Sequence, residues 1–383
     1  MTIHFTPEEL AGRRERAIRA MEARGLDGLL MFRQESMYYL TGYDTFGYVF
    51  FQCLYLGTDG RMMLLTRTPD LRQARHTSVI DDVRVWVNLP DSNPAEQLRD
   101  ILDELGCRGR RLGVELDAYG LTAANGRLLD AALDGFCAPE EASDLVTRLR
   151  AVKSPAEMEY VRRAAVLADE ALIAGNRLAV PGAFEGDILA EMQGAVFRGG
   201  GEYSGNEWIL GSGRDALLCR SKAGRRKLDD NDQLTIEFAG SYLHYHAALM
   251  RTILTGTPPP AQLENFAAVR ESLEAAEAAL RPGWPVGEVF DAHARVLDAH
   301  GHAENRMQAC GYGLGTTFAP NWMDWPMFFA GNPVEAEPGM IFFIHIVIFD
   351  SDRDLAMTLA RTSVVTETGA EPLSRAPLDL VVN

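Results

Sequence analysis

The side chains best suited to chemistry lie in the second half of the chain, mostly in segments that read as strands. Glu237 falls within Leu234-Thr235-Ile236-Glu237-Phe238. Successive strand residues point to opposite faces, so Thr235, Glu237 and Ala239 share one face and Ile236 and Phe238 the other. A carboxylate so placed is either a solvated group on an edge strand or a group aimed into a cavity. His246 lies on the next apolar run, with His244 two residues before it, and His345 lies in Met340–Phe349. An imidazole titrates near neutral pH, so each could pass a proton; a satisfied structural histidine is the competing reading. Arg220 ends the segment Ser212-Gly213-Arg214-Asp215-Ala216-Leu217-Leu218-Cys219-Arg220. Its guanidinium stays protonated and cannot act as a base, but it can clamp a carboxylate through two hydrogen bonds. A surface arginine in a basic loop is the alternative. Trp322, Asp324 and Trp325 form either an aromatic box for a cation or a set of packing anchors. Tyr43, Phe46, Tyr48 and Phe50 make a similar aromatic run. Cys310 has no cationic neighbour in sequence, so it reads as a pocket-wall residue more readily than as a nucleophile.

These residues need elements to position them. Thr6-Pro7-Glu8-Glu9 opens a helix that Gly25 closes, and Leu26–Phe32 follows as a strand. Asn93-Pro94-Ala95-Glu96 opens another helix, closed by Gly106. Arg111–Glu115 is a short strand, and Gly120–Leu133 fits a further helix. Helices alternating with strands define an α/β domain over residues 1–150. Ser154 and Glu157 form a capping box around Pro155. Met158, Val161, Ala165, Leu167, Ala168 and Leu172 then mark an amphipathic helix of about 20 residues. Beyond it, over 151–383, the expected strands are Gln233–Ala239, Tyr245–Thr255, Met340–Phe349 and Thr362–Glu367. The expected helices are Phe184–Phe197, Gln262–Leu280 and Gly287–His300.

Several classes are excluded. The sequence has no H-E-x-x-H, no G-x-S-x-G, no P-loop and no strand-coupled G-x-G-x-x-G. The 383 residues carry a formal charge of −17, of which −4 falls in residues 1–153 and −13 beyond. The only basic cluster, Arg220–Lys227, runs directly into Asp229, Asp230 and Asp232, so a nucleic-acid or membrane partner is not expected. Five scattered cysteines without a C-x-x-C, and a first segment without a signal-like apolar stretch, point to reduced thiols and a cytoplasmic setting.

Four strings carry a family resemblance: LRAVKSPAEMEYVRRAA at the junction, LTIEFAGSYLHYHAALMRTILTG, CGYGLG and PGMIFFIH. They resemble the pita-bread family, which includes proline-specific aminopeptidases, methionine aminopeptidase and creatinase. MYYLTGY resembles the family's smaller domain. EFAGSYLHYH and CGYGLGTTFAPNW are most similar to the ectoine hydrolases. The resemblance implies an α/β (α+β) chain: a small N-terminal domain, then a pita-bread domain with an antiparallel sheet covered by helices. It also implies a homodimer, in which the aromatic segment holding Tyr43 often reaches the neighbouring pocket. In the family's metallopeptidases five residues hold two metals. Those positions carry Glu237, Ala248, Cys310, His345 and either Ala360 or Arg361 here. Hard divalent ions need bridging carboxylates, which one glutamate cannot supply. No metal or other cofactor is therefore expected, although Glu237, Cys310 and His345 are all zinc-ligand types. In creatinase and many proline peptidases, the position of Arg220 is a histidine.

The resemblance implies a metal-independent hydrolase of a C–N bond in a small amidine, with a zwitterionic or cationic substrate like ectoine or creatine. A carboxylate pairs with a planar amidinium through two hydrogen bonds. Glu237 is expected to orient or attack the carbon, and His246 or His345 to move protons. Arg220, Cys310, Trp322, Asp324 and Tyr43 are expected to contact substrate. A metal-dependent Xaa-Pro peptidase and a non-catalytic binding protein on a degenerate scaffold are the rivals.

Overall fold

The computed structural model describes residues 3–220 and 224–383. Ser221, Lys222 and Ala223 of the basic segment lie outside the described residues. The chain divides into two compact units between Arg150 and Ala151.

In the N-terminal unit, the Thr6 hydroxyl accepts the Glu9 N–H at 3.2 Å and starts the helix Pro7–Ala23, which gives way at Gly25 with φ 67°. Asn93 caps Pro94–Glu104 in the same way. The third expected helix begins later than Gly120, at Ala123, because the Thr122 hydroxyl takes the cap. Among the described residues, six strands form one sheet, in the order Val83–Trp86, Met62–Arg67, Cys53–Gly57, Gly28–Met31, Arg111–Val114 and Ala138–Glu141. The strand Gly28–Met31 is buried on both sides: Leu30 packs into one core and Leu29 and Met31 into another. A wholly apolar strand is what a sheet covered on both faces requires.

The second unit opens with Pro155–Leu178, whose capping box is formed on both sides by Ser154 and Glu157. Its sheet runs Asp324–Met327, Gly311–Gly313, Ile341–Asp350, Leu355–Thr366, Tyr245–Thr255, Asp232–Tyr242 and Ile209–Ser212, antiparallel along that path. Helices Pro260–Ala279 and Gly287–Ala299 cover one face, where Leu273, Phe290 and Leu297 pack with Phe342, Ile344, Ile346, Met357 and Leu359. The alternate residues Phe343, His345, Thr358 and Ala360 therefore belong to the other face. The strand expected at Thr362–Glu367 is the end of a 12-residue strand starting at Leu355. Its first half, Leu-Ala-Met-Thr-Leu-Ala, is buried on both sides and carries no clear alternation. No described helix is long and apolar enough to cross a membrane.

Candidate active site

Strand register assembles the site. Glu237 pairs with Met250, Met250 with Ala360, and Ala360 with His345. Directly opposed residues share a face, so these four form one row across four strands. At ~4.8 Å per strand, a flat sheet would separate the ends of the row by about 14 Å. Met250 and Ala360 make the floor between them. Ala248 pairs with Ala239 on the same face, and both are buried methyls.

Tyr312 spans the row. Its hydroxyl donates to Glu237 Oε1 at 3.4 Å, and its ring centre lies 5.5 Å from that of His345. Trp322 Nε1 in turn donates to the Tyr312 hydroxyl at 2.8 Å. Burial pushes the partly exposed Glu237 carboxyl up to about 7, against the opposing pull of the Arg220 guanidinium and the Tyr312 hydrogen bond. Burial also lifts the Tyr312 hydroxyl well above its ordinary value, with the Glu237 charge adding to it. His345 is pushed down to about 4, first by burial and then by His293 and Arg220, so its ring is neutral at pH 7. Arg220 is exposed, yet its charge reaches Glu237, Tyr312 and His345 alike.

Glu237 and His345 thus stand on one row, bridged by Tyr312, and the charge of Arg220 acts on both; Trp322 joins only through Tyr312, and the other expected site residues do not join. His246 shares the face of Glu237, but it is buried and both ring nitrogens are committed. Nε2 accepts the Gly205 N–H at 2.8 Å, which assigns the proton to Nδ1, 3.1 Å from Thr317 Oγ1 and 3.4 Å from the Gly315 carbonyl. Burial holds it down to about 4. Its ring ties the Gly205 and Thr317 loops together, and the expected proton shuttle gives way to a structural imidazole.

Cys310 needs a similar correction. It is fully buried in the core with Phe290, Phe328 and Ile344, and the charges acting on its thiol are Arg306 and Asp291 rather than Glu237. The thiol faces packed side chains, with no opening through which a substrate could touch it. Trp322 is also buried, so it cannot line an aromatic box; its N–H orients Tyr312 instead. Asp324 accepts the Trp325 N–H at 2.9 Å and lies beside Gly315, where Lys153 also approaches. Tyr43 is sealed inside the N-terminal unit, its hydroxyl 3.4 Å from both Gln52 Oε1 and Thr66 Oγ1. The exposed members of its aromatic run are Phe46 and Phe50. Tyr312 was not singled out by sequence reasoning, although it lies within the Cys-Gly-Tyr-Gly-Leu-Gly string.

The donor set does not fit a dinuclear metal centre. The row offers one carboxylate, and Ala248 and Ala360 present methyl groups where ligands would stand. Arg361 is no substitute, because it is paired bidentately with Glu277 at 2.7 and 2.5 Å. Among the described residues, no group of three His, Cys, Asp or Glu side chains is arranged to hold a metal ion.

An antiparallel sheet backed by helix pairs, following a smaller mixed-sheet unit in the chain, is the pita-bread architecture. Residues 159–367 match metallopeptidase family M24, and residues 13–152 match the Creatinase/Prolidase N-terminal domain. The chain belongs to this family. An uncharacterized hydrolase/peptidase of Sinorhizobium fredii is 30% identical over 393 residues, covering 99% of each chain. The ectoine hydrolase of Halomonas elongata is 28% identical over 406 residues, covering 100% of this chain and 99% of that one. Among solved structures, dipeptidase PepE from Mycobacterium ulcerans superposes with a TM-score of 0.85 at 27% identity, covering 99% of both chains. Prolidase from Thermococcus sibiricus gives 0.86 at 20% identity, with 97% and 98% covered, a likeness of fold.

Proposed function

We propose that the protein hydrolyses a C–N bond in a small zwitterion bearing an amidine and a carboxylate, of the ectoine type, with Glu237 as the reacting carboxylate and no resident metal. The observation that carries this reading is the state of Glu237: one carboxyl held near neutrality, oriented by Tyr312, in a row stripped of the other acidic residues.

An amidinium supplies its own positive charge at the carbon under attack. Its approach favours the ionised form of Glu237, as any opposite charge does. The carboxylate then takes a proton from water as the water oxygen bonds to the amidinium carbon. The resulting neutral tetrahedral adduct breaks one C–N bond as the proton held by Glu237 passes to the departing nitrogen; the adduct's hydroxyl proton is then taken up by the freed amine, leaving an amide, an ammonium group and the Glu237 carboxylate. Tyr312 keeps the carboxylate pointed at the reacting carbon through its hydroxyl, while Arg220 takes the substrate carboxylate by a bidentate pair. His345 stays neutral and closes the far end of the row.

A mass-spectrometric screen against ectoine, hydroxyectoine and creatine tests this with two proteins, wild type and Glu237→Ala. The expected result is product from an amidine with the first and none with the second. Equal turnover by both would remove Glu237 from the chemistry. The peptidase reading has the family relatives in its favour; chelator-sensitive cleavage of an Xaa-Pro dipeptide would establish it.

A further inference from the structure

Five hydrogen bonds lead from Gly205 to Glu237, and the direction of each is fixed. The Gly205 N–H can only donate, and His246 Nε2 accepts it at 2.8 Å. The ring proton of His246 is therefore on Nδ1, which faces Thr317 Oγ1 at 3.1 Å and the Gly315 carbonyl at 3.4 Å. The Thr317 hydroxyl gives its own proton to the Trp322 carbonyl at 3.4 Å, so toward His246 it is an acceptor, and the two assignments agree. An indole N–H can only donate, and Trp322 Nε1 gives its proton to the Tyr312 hydroxyl oxygen at 2.8 Å. Tyr312 then donates to Glu237 Oε1 at 3.4 Å.

His246, Thr317, Trp322 and Tyr312 are all buried. Backbone contacts hold the same loop in place. The Thr317 N–H donates to the His244 carbonyl at 3.1 Å, and the His246 N–H to the Gly315 carbonyl at 3.2 Å. Gly205 packs so closely that a Cβ there would stand 3.0 Å from the Asn321 carbonyl oxygen and 3.3 Å from the Trp322 nitrogen. The loop is thus held from both sides while its indole reaches Tyr312. A phenol hydroxyl beside a carboxyl can give a proton or accept one. With a donor-only indole on its oxygen, the Tyr312 hydrogen is turned toward Glu237.

We propose that Trp322 and Thr317, anchored on His246, are positioning residues that fix the Tyr312 O–H as a donor and so set the ionisation of Glu237 from outside the row. This role rests on Glu237 as the reacting carboxylate, but its test needs no substrate. Arg220 and Cys219 also interact with Glu237, and substitutions along the chain leave both in place. A donated hydrogen bond favours the ionised carboxyl, so breaking the chain must raise the Glu237 midpoint.

The experiment is a carbon-13 NMR titration of Glu237 in the full-length wild type, Tyr312→Phe, Trp322→Phe, Thr317→Val and the Tyr312→Phe/Trp322→Phe double variant. Tyr312→Phe is expected to raise the midpoint by about 1 unit, ten-fold in the ionisation constant. Trp322→Phe should change that constant by about three-fold in the same direction, and the double variant should go no further than Tyr312→Phe alone. Thr317→Val, isosteric and one link further back, should change it by about two-fold. Should Trp322→Phe fail to fold, Thr317→Val carries the same test. A loss of packing alone would lower stability and leave the midpoint in place. A wild-type midpoint in Tyr312→Phe, Trp322→Phe or Thr317→Val, or a double variant that exceeds Tyr312→Phe, would each overturn the chain. Absence of ectoine turnover would bear on the proposed reaction alone.

Discussion

Each unit holds a glutamate whose carboxyl is pushed up to about 7, fully buried at Glu115 and partly exposed at Glu237. Glu115, in the N-terminal unit, accepts the Phe32 N–H at 3.1 Å, the Arg33 N–H at 3.0 Å and the Ser36 hydroxyl at 2.5 Å. Its oxygens are filled by the chain that surrounds them. Among the described residues, Glu237 accepts one hydrogen bond, from Tyr312, and shares its row with Met250 and Ala360. A raised pKa therefore does not mark a reactive group by itself, since burial raises both. What separates them, among the described residues, is the number of donors each carboxylate receives. Glu115 spends its oxygens on folding; in the reaction proposed above, the remaining acceptor sites of Glu237 receive the ligand.

The largest effect expected from this contrast is on turnover. Glu237→Gln should lower kcat on an amidine substrate by about 10³-fold or more, within the range for loss of a general base. Glu115→Gln should leave kcat of the folded protein within about two-fold. A comparable loss in both, measured in steady-state assays, would erase the distinction.

Stability should show the reverse order. Glu115→Ala leaves three buried donors without an acceptor and should destabilise by about 3 kcal/mol, read by denaturant unfolding. Glu237→Gln should be neutral or stabilising at pH 7. Both carboxyls hold their proton more tightly in the folded chain than at the ordinary value near 4.3. Their contribution is therefore complete below about pH 4 and is lost as pH rises through about 7. Unfolding free energy should fall across that window, and either Glu→Gln variant should flatten the fall.

Tyr312→Phe comes next, with an expected 10- to 30-fold loss in kcat, about 1.4–2 kcal/mol of activation free energy. Its hydroxyl favours the Glu237 anion, so the acid limb of the pH–rate profile should move upward; an unmoved limb would detach Tyr312 from Glu237. The smallest effect is Cys310→Ala: kcat and KM within about two-fold, with only a packing loss. A large rise in KM would return the thiol to the substrate.

Much of this was legible in the sequence. Thr6, Asn93 and Ser154 cap their helices through the side chains that announce them, because capping is a local contact within three residues. The face of Glu237 follows from a strict two-residue period. Tyr312 was hidden because its significance is a hydroxyl reaching another strand, from a strand only three residues long. Trp322 and Tyr43 show the limit of residue type: an aromatic run does not say which ring is sealed inside. The choice between Ala360 and Arg361 could be settled only by register, which puts Ala360 in the row and sends Arg361 to Glu277.

The most direct measurement is amidine turnover by protein stripped with a strong chelator, with metal content determined on the same sample. A single carboxylate acting on a charged amidinium predicts an unchanged kcat at a metal content far below one ion per chain. Activity that disappears on stripping and returns with a divalent ion would contradict it.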